Sequence, residues 1–576
     1  MRRTLEVNSP RGPGEDNKHV YPIAVARPVV TKSDKLPFLG GALLFLCALA
    51  FYYFAVLRVD YAKTTLLNLA PHPDATEYFA QAKALRREGW PSIQIGYDKL
   101  PSRYPFGYPV LMLPWLKILR GTNAVLAPFR TNQTTGVLLL LTLFGFYTYL
   151  AMPLTGGFAA LLLATLPCFF TFCRSSMSEI SASLFIVLAF MFCYLGLKEE
   201  RRWKIYLSAV LLGLSLNIRI QSLFFAPLLL AMALVPVRGR RLRWFLHCAA
   251  VPVAFLMAAS PVLVLNTIQF QSPFKTGYNF WAPRLFEDHD LFSFRNVPAN
   301  AMALWRELIL APIGYHTPNI FGTGTCFVPA FVLLICLGLS FIRIDRFVIC
   351  AFLAGLAFLV GTLTHHYLLV DPRYYLPLLM LLIAVAVLPL DWAARKLFAG
   401  RQIIAGVGIF ALFAAACLGY PSRSGYDTSG INRSQAWDAC HFTDQPNSSI
   451  QFDAQGRFAR LLKRQPGVVL SDIDPVYLNA LLPRSFVAAP IDGNHHYKWS
   501  YKWLYDRPQA LALVKHSLQR SLPVYALFIS RAELSKEQAR LPQVPGYEWR
   551  IIKKSHGNLA ILKLTAIGLD QASPTS

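Results

Sequence analysis

Long apolar runs recur along the first 420 residues and predict a bundle of transmembrane helices. A helix needs about 20 mostly apolar residues to cross the ~30 Å hydrocarbon core of a bilayer. Eleven runs approach that length, and they lie at 37–57, 133–152, 158–174, 180–197, 203–218, 220–236, 244–268, 325–342, 347–364, 374–391 and 402–420.

A further apolar run, at 105–119, is shorter and contains three prolines. The basic clusters of the chain decide whether it crosses, because Lys and Arg collect on the cytoplasmic side of a membrane. If 105–119 does not cross, the N-terminus and all four basic clusters share one side. We therefore predict eleven crossings, with 105–119 lying in the outer interface. The clusters are 198–204, 237–243, 341–346 and 391–401.

The chain divides into three parts that differ in composition. Residues 1–36 are polar and Pro-rich, which predicts a disordered cytoplasmic tail. Residues 37–420 form the membrane part, with long outer loops at 58–132 and 269–324. Residues 421–576 follow the eleventh crossing, so we expect them on the non-cytoplasmic side.

Residues 421–576 alternate strand and helix patterns. We therefore predict an α-helical polytopic membrane protein that carries a C-terminal extracytoplasmic α/β domain. Runs of β-branched and aromatic residues predict strands at 467–472, 485–491, 523–530, 547–555 and 559–567. Amphipathic patterns predict helices at 452–464, 507–521 and 532–544.

Composition and charge support a membrane protein and argue against nucleic-acid binding. Hydrophobic residues make up 55% of the chain and charged residues only 15%, whereas a soluble protein carries about a quarter charged residues. The formal net charge is +25, but the Lys and Arg residues gather in short loops between apolar runs. No basic soluble module with interleaved aromatic residues is present, so we expect membrane lipid and no nucleic acid as a partner.

Ionisable residues cluster at the predicted outer ends of the helices. Charge at membrane depth is costly unless it is paired or solvated, so such a ring is a hypothesis for a functional site. Ordinary interfacial anchors and salt bridges are the alternative interpretation. Asp74 and Glu77 lie three residues apart and share a face if they are helical. The ring includes Asp74, Glu77, Arg103 beside Tyr104, Glu179, Arg219, Lys275, His365, His366 and Arg373.

Four short motifs in this order resemble the GT-C superfamily of integral-membrane glycosyltransferases, which use polyprenyl- or dolichyl-linked sugar donors. The resemblance extends over about 37–420 and is strongest to the bacterial branch that contains protein mannosyltransferases and aminoarabinose transferases. It implies a GT-C-type fold and a bacterial inner-membrane location. The motifs are HPDATEYFAQA (72–82), RYPFGYP (103–109), RSSMSE (174–179) and RYYLPLL (373–379).

The resemblance implies a role for each candidate residue. Asp74 would act as the general base on an acceptor hydroxyl, in a single inverting displacement from the polyprenyl phosphate. Glu77 and Glu179 are further catalytic candidates. Arg373 matches the phosphate-binding arginine of the family motif. By topology, Arg103, Tyr104, Lys275 and Arg219 are additional candidates for binding the donor phosphate.

The first loop departs from the family pattern, and this puts a metal cofactor in doubt. Many relatives carry an adjacent Asp-Glu pair, whereas Ala75 follows Asp74 here. Glu77, Glu179, His365 and His366 are candidate ligands for a divalent metal, but a tandem His pair at a helix end is also a common interfacial feature. We therefore expect no firm metal site.

Two other function classes stay open beside the transferase. One is a secondary transporter or flippase for a lipid-linked sugar, which would place charges at mid-membrane in repeated halves. The predicted crossings are nearly free of mid-span charge and show no clear repeat, which favours the transferase. The other is a glycan ligase or polymerase. The acceptor, whether lipid, glycan or protein, is not specified by the sequence.

The predicted topology can be tested by labelling single cysteines in intact cells. We expect Asp74→Cys in a cysteine-free background to react with a membrane-impermeant thiol reagent from outside. Glu200→Cys, in the basic cluster at 198–204, is the control and should react only after permeabilisation. Labelling of Asp74→Cys only in permeabilised cells would contradict the topology.

Overall fold

A computed structural model describes most of the membrane part and the core of the C-terminal part. Residues 1–34 and 402–420, apart from residue 408, lie outside the described residues, and so does the helix predicted at 452–464. The described residues are 35–58, 74–119, 121–233, 241–281, 292–305, 329–365, 372–397, 408, 467–471, 475–482, 485–491, 507–528, 538–554 and 560–567.

The membrane part is helical, as the apolar pattern predicts. Its first half contains α1 (Lys35–Tyr52, continued by a π-helical turn, Tyr53–Leu57), α2 (Asp74–Glu88), α3 (Gly107–Ile118), α4 (Ala127–Tyr149), α5 (Pro153–Thr165), α6 (Pro167–Cys173), α7 (Glu179–Lys198) and α8 (Arg202–Ile218). Its second half contains α9 (Leu228–Ala233), α10 (Arg241–Phe270), α11 (Gly277–Trp281), α12 (Val297–Trp305), α13 (Pro329–Leu339), α14 (Arg346–Leu363) and α15 (Leu376–Leu397).

Within the described ranges, five helices are long and apolar enough to cross a membrane. They correspond to α1 with its π-helical turn, α7, α10, α14 and α15. The exposed side of α10 is apolar, since Phe245, Leu246 and Met257 are all more than half exposed. The chain is therefore a polytopic membrane protein, and the count of eleven crossings stays a prediction.

Two predicted spans are not single α-helices. The run at 158–174 is divided between α5 and α6 because Leu166 has an extended backbone before Pro167. Proline disfavours a helical conformation in the residue before it, so the break is a local consequence of sequence. The run at 220–236 begins as a 3₁₀ turn, Ile220–Phe225, and α9 starts only after Pro227.

The short run at 105–119 forms α3, which is too short to cross a bilayer. Its 12 residues rise by about 18 Å, against a hydrocarbon core of ~30 Å. Tyr108, Met112 and Leu116 are fully buried on one face of the helix. The length of α3 agrees with the prediction that this segment does not cross.

The C-terminal part is a mixed five-stranded sheet, and all five predicted strands are confirmed. The strand order is β4-β3-β5-β7-β6, with β3 parallel to β4 and β5 and with β7 antiparallel to β5 and β6. The helix predicted at 507–521 is confirmed as α17, whereas α16 was not anticipated. A separate hairpin, β1–β2, lies in the first loop. The bounds are β1 (Ile93–Ile95), β2 (Asp98–Leu100), β3 (Gly467–Ser471), α16 (Pro475–Leu481), β4 (Phe486–Pro490), α17 (Arg507–Gln519), β5 (Val524–Phe528), β6 (Tyr547–Lys554) and β7 (Ala560–Ala566).

Helices α1 and α5 pack with their backbones almost in contact. A Cβ atom built on Gly41 would lie 2.1 Å from the Pro153 carbonyl oxygen, and one built on Gly157 would lie 2.5 Å from the Gly41 carbonyl oxygen. Small residues at such positions allow the close helix packing that stabilises membrane bundles. The two glycines therefore fix the distance between these helices.

We expect Gly157→Ala to lower the thermal unfolding midpoint of the full chain in detergent, because the methyl group has no room against α1. Overpacking of this kind costs about 1–3 kcal/mol. Gly145→Ala in α4 is the matched control, since a Cβ there meets nothing within 4 Å. Alanine is also the better helix former, so the control should be neutral or stabilising. Equal midpoints for the two variants would contradict the tight α1–α5 contact.

Candidate active site

An open cavity lies at one end of the helix bundle, where the first loop meets the ends of α10 and α11. Helix α2, the loop after β2 and the 3₁₀ turns Ile220–Phe225 and Pro372–Tyr375 complete its wall. The cavity brings together four of the residues that the sequence singles out. The polar and aromatic lining includes Asp74, Tyr78, Gln81, Ser102, Arg103, Tyr104, Arg219, Gln221, Asn266, Gln269, Tyr278 and Tyr374.

A buried ion pair joins α2 to the loop after β2. Glu77 is fully buried and accepts hydrogen bonds from the Arg103 guanidinium, the Ser102 hydroxyl (2.8 Å) and the Arg103 backbone N–H (2.9 Å). Gln81, one turn further along α2, donates to the Ser102 hydroxyl at 2.8 Å. Burial raises the pKa of Glu77, while the Arg103 guanidinium and the other donors oppose that rise.

Helix α11 holds the other side of the same loop. A Cβ atom on Gly277 would lie 1.9 Å from the Ser102 carbonyl oxygen, so only glycine permits this approach. The Trp281 indole N–H donates to the Pro101 carbonyl oxygen at 2.7 Å. The Arg103 guanidinium lies over the Trp281 ring, 5.0 Å from its centroid. Arg103 is therefore fixed by an acid on one side and an aromatic ring on the other.

A second buried pair fixes Arg219, the other arginine in the cavity wall. Glu179, the first residue of α7, is fully buried and lies 2.7 Å from the Arg219 guanidinium. Helix α8 ends before Arg219, whose extended backbone turns the chain into the 3₁₀ turn. The guanidinium also lies 5.3 Å from the centre of the Tyr374 ring. Arg219 thus approaches the cavity between a carboxylate and an aromatic ring.

Asp74 lies at the start of α2 and accepts a hydrogen bond from the Tyr104 hydroxyl. Burial raises the pKa of Tyr104 well above its ordinary value, and the negative charge of Asp74 raises it further. The Tyr104 hydroxyl therefore stays protonated and donates. The Tyr104 ring packs between Tyr78 and Tyr278, at centroid distances of 4.8 and 5.7 Å. An aromatic group therefore orients the one carboxylate that lines the cavity among the described residues.

The cavity combines one carboxylate, that of Asp74, with two arginines, Arg103 and Arg219, that buried acids hold in place. A carboxylate can accept a proton from a hydroxyl group within hydrogen-bond distance. A guanidinium has five N–H donors, so an arginine that is paired with one carboxylate can also bind a phosphate. The arrangement suits a reaction in which a hydroxyl loses a proton near a phosphate that gains charge.

The remaining predicted residues lie in different surroundings. Glu77 and Glu179 do not line the cavity, because both face the arginines from inside the protein. Lys275 is exposed and lies off the cavity wall. The backbone of Arg373 belongs to the 3₁₀ turn Pro372–Tyr375, and its side chain is outside the described residues, as is all of His366.

The described residues do not bring a cluster of metal ligands together. No group of three His, Cys, Asp or Glu side chains converges within this part of the chain. His365 is buried and packs on the rings of Phe292 and Tyr374, at centroid distances of 5.2 and 5.4 Å. The possibility that His365 and His366 hold a metal stays a prediction.

Several polar residues of the cavity are absent from the sequence-based set. Gln81 follows Glu77 by four residues, so helical spacing could have placed it on the same face. Gln221, Asn266 and Gln269 add uncharged carboxamide groups to the wall. No local pattern marks them, since they reach the cavity only through the packing of α8 and α10.

We expect Glu77→Gln to lower the unfolding midpoint strongly, because it leaves the buried Arg103 without its counter-charge. Breaking a buried pair costs about 3–5 kcal/mol. Glu88→Gln in the same helix is the control, since Glu88 pairs with the exposed Lys99 and surface pairs contribute only about 0–1 kcal/mol. A midpoint loss in Glu77→Gln no larger than in Glu88→Gln would show that the buried pair does not hold the loop.

Comparison with known proteins rests on structure, because no family model and no curated protein sequence matches the chain. ArnT from Cupriavidus metallidurans bound to undecaprenyl phosphate superposes with a TM-score of 0.58 at 12% identity, over 91% of this chain and 98% of ArnT. Its apo state gives a TM-score of 0.52 at 13% identity, with the same coverage. The Archaeoglobus fulgidus oligosaccharyltransferase in complex with Zn and sulfate gives 0.50 at 13% identity, over 89% and 72% of the two chains. The chain therefore shares the fold of these proteins, which is the GT-C-type fold that the sequence motifs predict.

Proposed function

We propose that this chain transfers a sugar from a polyprenyl-phosphate-linked donor to an acceptor hydroxyl at the outer face of the membrane. The observation that carries the proposal is the cavity in which Asp74 lies with Arg103 and Arg219. The shared fold adds support, since one ArnT structure holds undecaprenyl phosphate, a polyprenyl phosphate. A fold alone does not specify the reaction, so the proposal depends on the residues of the cavity.

Asp74 acts as the general base in this proposal. It accepts the proton of the acceptor hydroxyl while the hydroxyl oxygen forms a bond to the anomeric carbon. The Tyr104 hydroxyl donates to one Asp74 carboxylate oxygen and so orients this side chain in the cavity wall. The bond between the anomeric carbon and the phosphate oxygen breaks on the opposite face of the sugar. The anomeric configuration therefore inverts, and no sugar–enzyme bond forms.

Arg103 and Arg219 stabilise the leaving phosphate. Charge develops on the phosphate in the transition state, and pre-organised cations lower its energy most where water is excluded. The buried pairs with Glu77 and Glu179 hold both guanidiniums in place before the donor binds. Arg373 joins them as a candidate on the strength of its motif, and Lys275 is a further candidate at the surface beside the cavity.

Glu77 and Glu179 have a positioning role in this scheme rather than a direct catalytic one. Both carboxylates are fully buried behind the arginines that they hold. A substrate in the cavity would contact the guanidiniums and not these acids. The acceptor is a lipid, glycan or protein hydroxyl, and the setting is the outer side of a bacterial inner membrane.

A transporter or flippase uses the same ligand, so the experiment must separate it from a transferase. The purified chain is reconstituted in liposomes with a panel of polyprenyl-phosphate sugars and acceptors that carry hydroxyl groups. Release of the polyprenyl phosphate and formation of the glycosylated acceptor are both measured. Movement of donor lipid between leaflets without any transfer would replace the transferase with the flippase.

We expect Asp74→Asn to lower the transfer rate at least about 100-fold, because the amide cannot accept the hydroxyl proton. Asp98→Asn is the control, since Asp98 is exposed in the hairpin of the same loop. It should retain the rate of the unmodified chain. Equal rates for Asp74→Asn and Asp98→Asn would remove Asp74 from the mechanism.

A further inference from the structure

The hairpin β1–β2 of the first loop lies between α2 and the C-terminal sheet. Its strands pair through Ile93–Leu100 and Ile95–Asp98, and a two-residue turn, Gly96 and Tyr97, connects them. Gly96 has a positive φ of 59°, which such turns require and glycine adopts freely. The turn therefore holds a defined shape and presents its backbone to the sheet.

Asn479 of α16 joins this hairpin to β4, an edge strand of the sheet. Its side-chain amide donates to the Gln94 carbonyl oxygen at 2.9 Å and to the Ala488 carbonyl oxygen at 2.8 Å. Its side-chain oxygen accepts the Ala488 backbone N–H at 2.7 Å. The residue is only 7% exposed, so all three hydrogen bonds form away from bulk water. A buried carboxamide with these partners is costly to remove.

Further contacts reinforce the same junction. The Gly96 backbone N–H donates to the Ala488 carbonyl oxygen at 2.8 Å. This hydrogen bond covers part of the edge of β4 that faces away from β3. The Tyr97 ring meets the His516 ring of α17 edge to face, with centroids 5.5 Å apart. Apolar residues of the hairpin, of α2 and of α16 belong to one buried core. The C-terminal sheet and the first loop are therefore packed as one unit.

The hairpin leads directly into the cavity wall. Strand β2 ends at Leu100, and Ser102, Arg103 and Tyr104 follow within four residues. Two of these residues bind Glu77, and Tyr104 binds Asp74. The exposed Lys99–Glu88 pair, 2.6 Å long, also lies between β2 and the end of α2. A shift of the hairpin would therefore move Arg103 and Tyr104 relative to Asp74.

We propose that Asn479 is a positioning residue: through the hairpin, it lets the C-terminal sheet hold the loop that carries Arg103 and Tyr104. Its catalytic consequence rests on the proposed function, whereas its structural consequence does not. The C-terminal sheet thereby contributes to sugar transfer without touching the substrate. Loss of the Asn479 amide frees the Gln94 carbonyl oxygen and loosens the start of the site loop.

Hydrogen–deuterium exchange on the full chain in nanodiscs tests the structural part. We expect Asn479→Ala to speed exchange at the Gly96 and Arg103 amides on the order of tenfold, because a buried hydrogen-bonded junction is lost. Ser471→Ala is the matched control, since Ser471 is buried in β3 and donates to the Leu527 carbonyl oxygen inside the sheet. It should leave exchange in 92–106 unchanged.

Steady-state kinetics of the same variants test the catalytic part. We expect Asn479→Ala to lower kcat about tenfold with the donor KM within about twofold, because Arg103 and Tyr104 remain but are less well aligned with Asp74. Ser471→Ala should keep both constants. His516→Ala is a milder second variant that loses only the ring contact with Tyr97, and it should produce a smaller change in the same direction.

The two measurements separate the possible failures. Unchanged exchange at 92–106 in both Asn479→Ala and His516→Ala would overturn the proposal. The same holds if Ser471→Ala loosens that peptide as much as Asn479→Ala, because general destabilisation would then explain both. If the unmodified chain transfers no sugar, the proposed function fails, while the exchange data still decide whether Asn479 holds the loop.

Discussion

The buried pair of Glu77 and Arg103 is the interaction on which the candidate site depends. Two charges removed from water are stable only if they pair and if hydrogen bonds satisfy their remaining atoms. Here the Ser102 hydroxyl and the Arg103 backbone N–H also donate hydrogen bonds to the Glu77 carboxylate. The pair therefore fixes the conformation of the loop after β2. In that conformation the Tyr104 hydroxyl donates a hydrogen bond to Asp74, the first residue of α2.

The same device recurs on the other side of the cavity, where Glu179 holds Arg219 at the end of α8. In both pairs the acid is buried and the arginine reaches the cavity wall. Positive charge is thus fixed before a ligand arrives, which is the arrangement that stabilises developing negative charge most effectively. The C-terminal sheet adds a third constraint, because it packs against the hairpin that precedes Arg103.

Most helices and strands follow from local sequence patterns. The features that do not are contacts between residues far apart in the chain. Period-two and apolar patterns predict the five strands and the helices well because those signals are local. The break at Pro167 was missed, although the rule for residues before proline could have predicted it. Asp74, Arg103, Tyr104 and Arg219 were expected to converge from topology alone, and the cavity brings them together. The sequence does not predict that Glu77 and Glu179 face the protein interior. Their positions along the chain are equally compatible with a side chain in the cavity and one buried behind it. The hydrogen bond from Asn479 to the Gln94 carbonyl oxygen spans 385 residues, and no local pattern encodes it.

The proposed function requires a lipid phosphate to bind in the cavity between its arginines, with Asp74 facing the bond that breaks. A cryo-electron microscopy structure of the full chain in nanodiscs with bound polyprenyl phosphate would show where the phosphate binds. The proposed binding mode predicts phosphate oxygens within hydrogen-bond distance of the Arg103 or Arg219 guanidinium. A phosphate bound at another surface, with the cavity free of ligand, would contradict it.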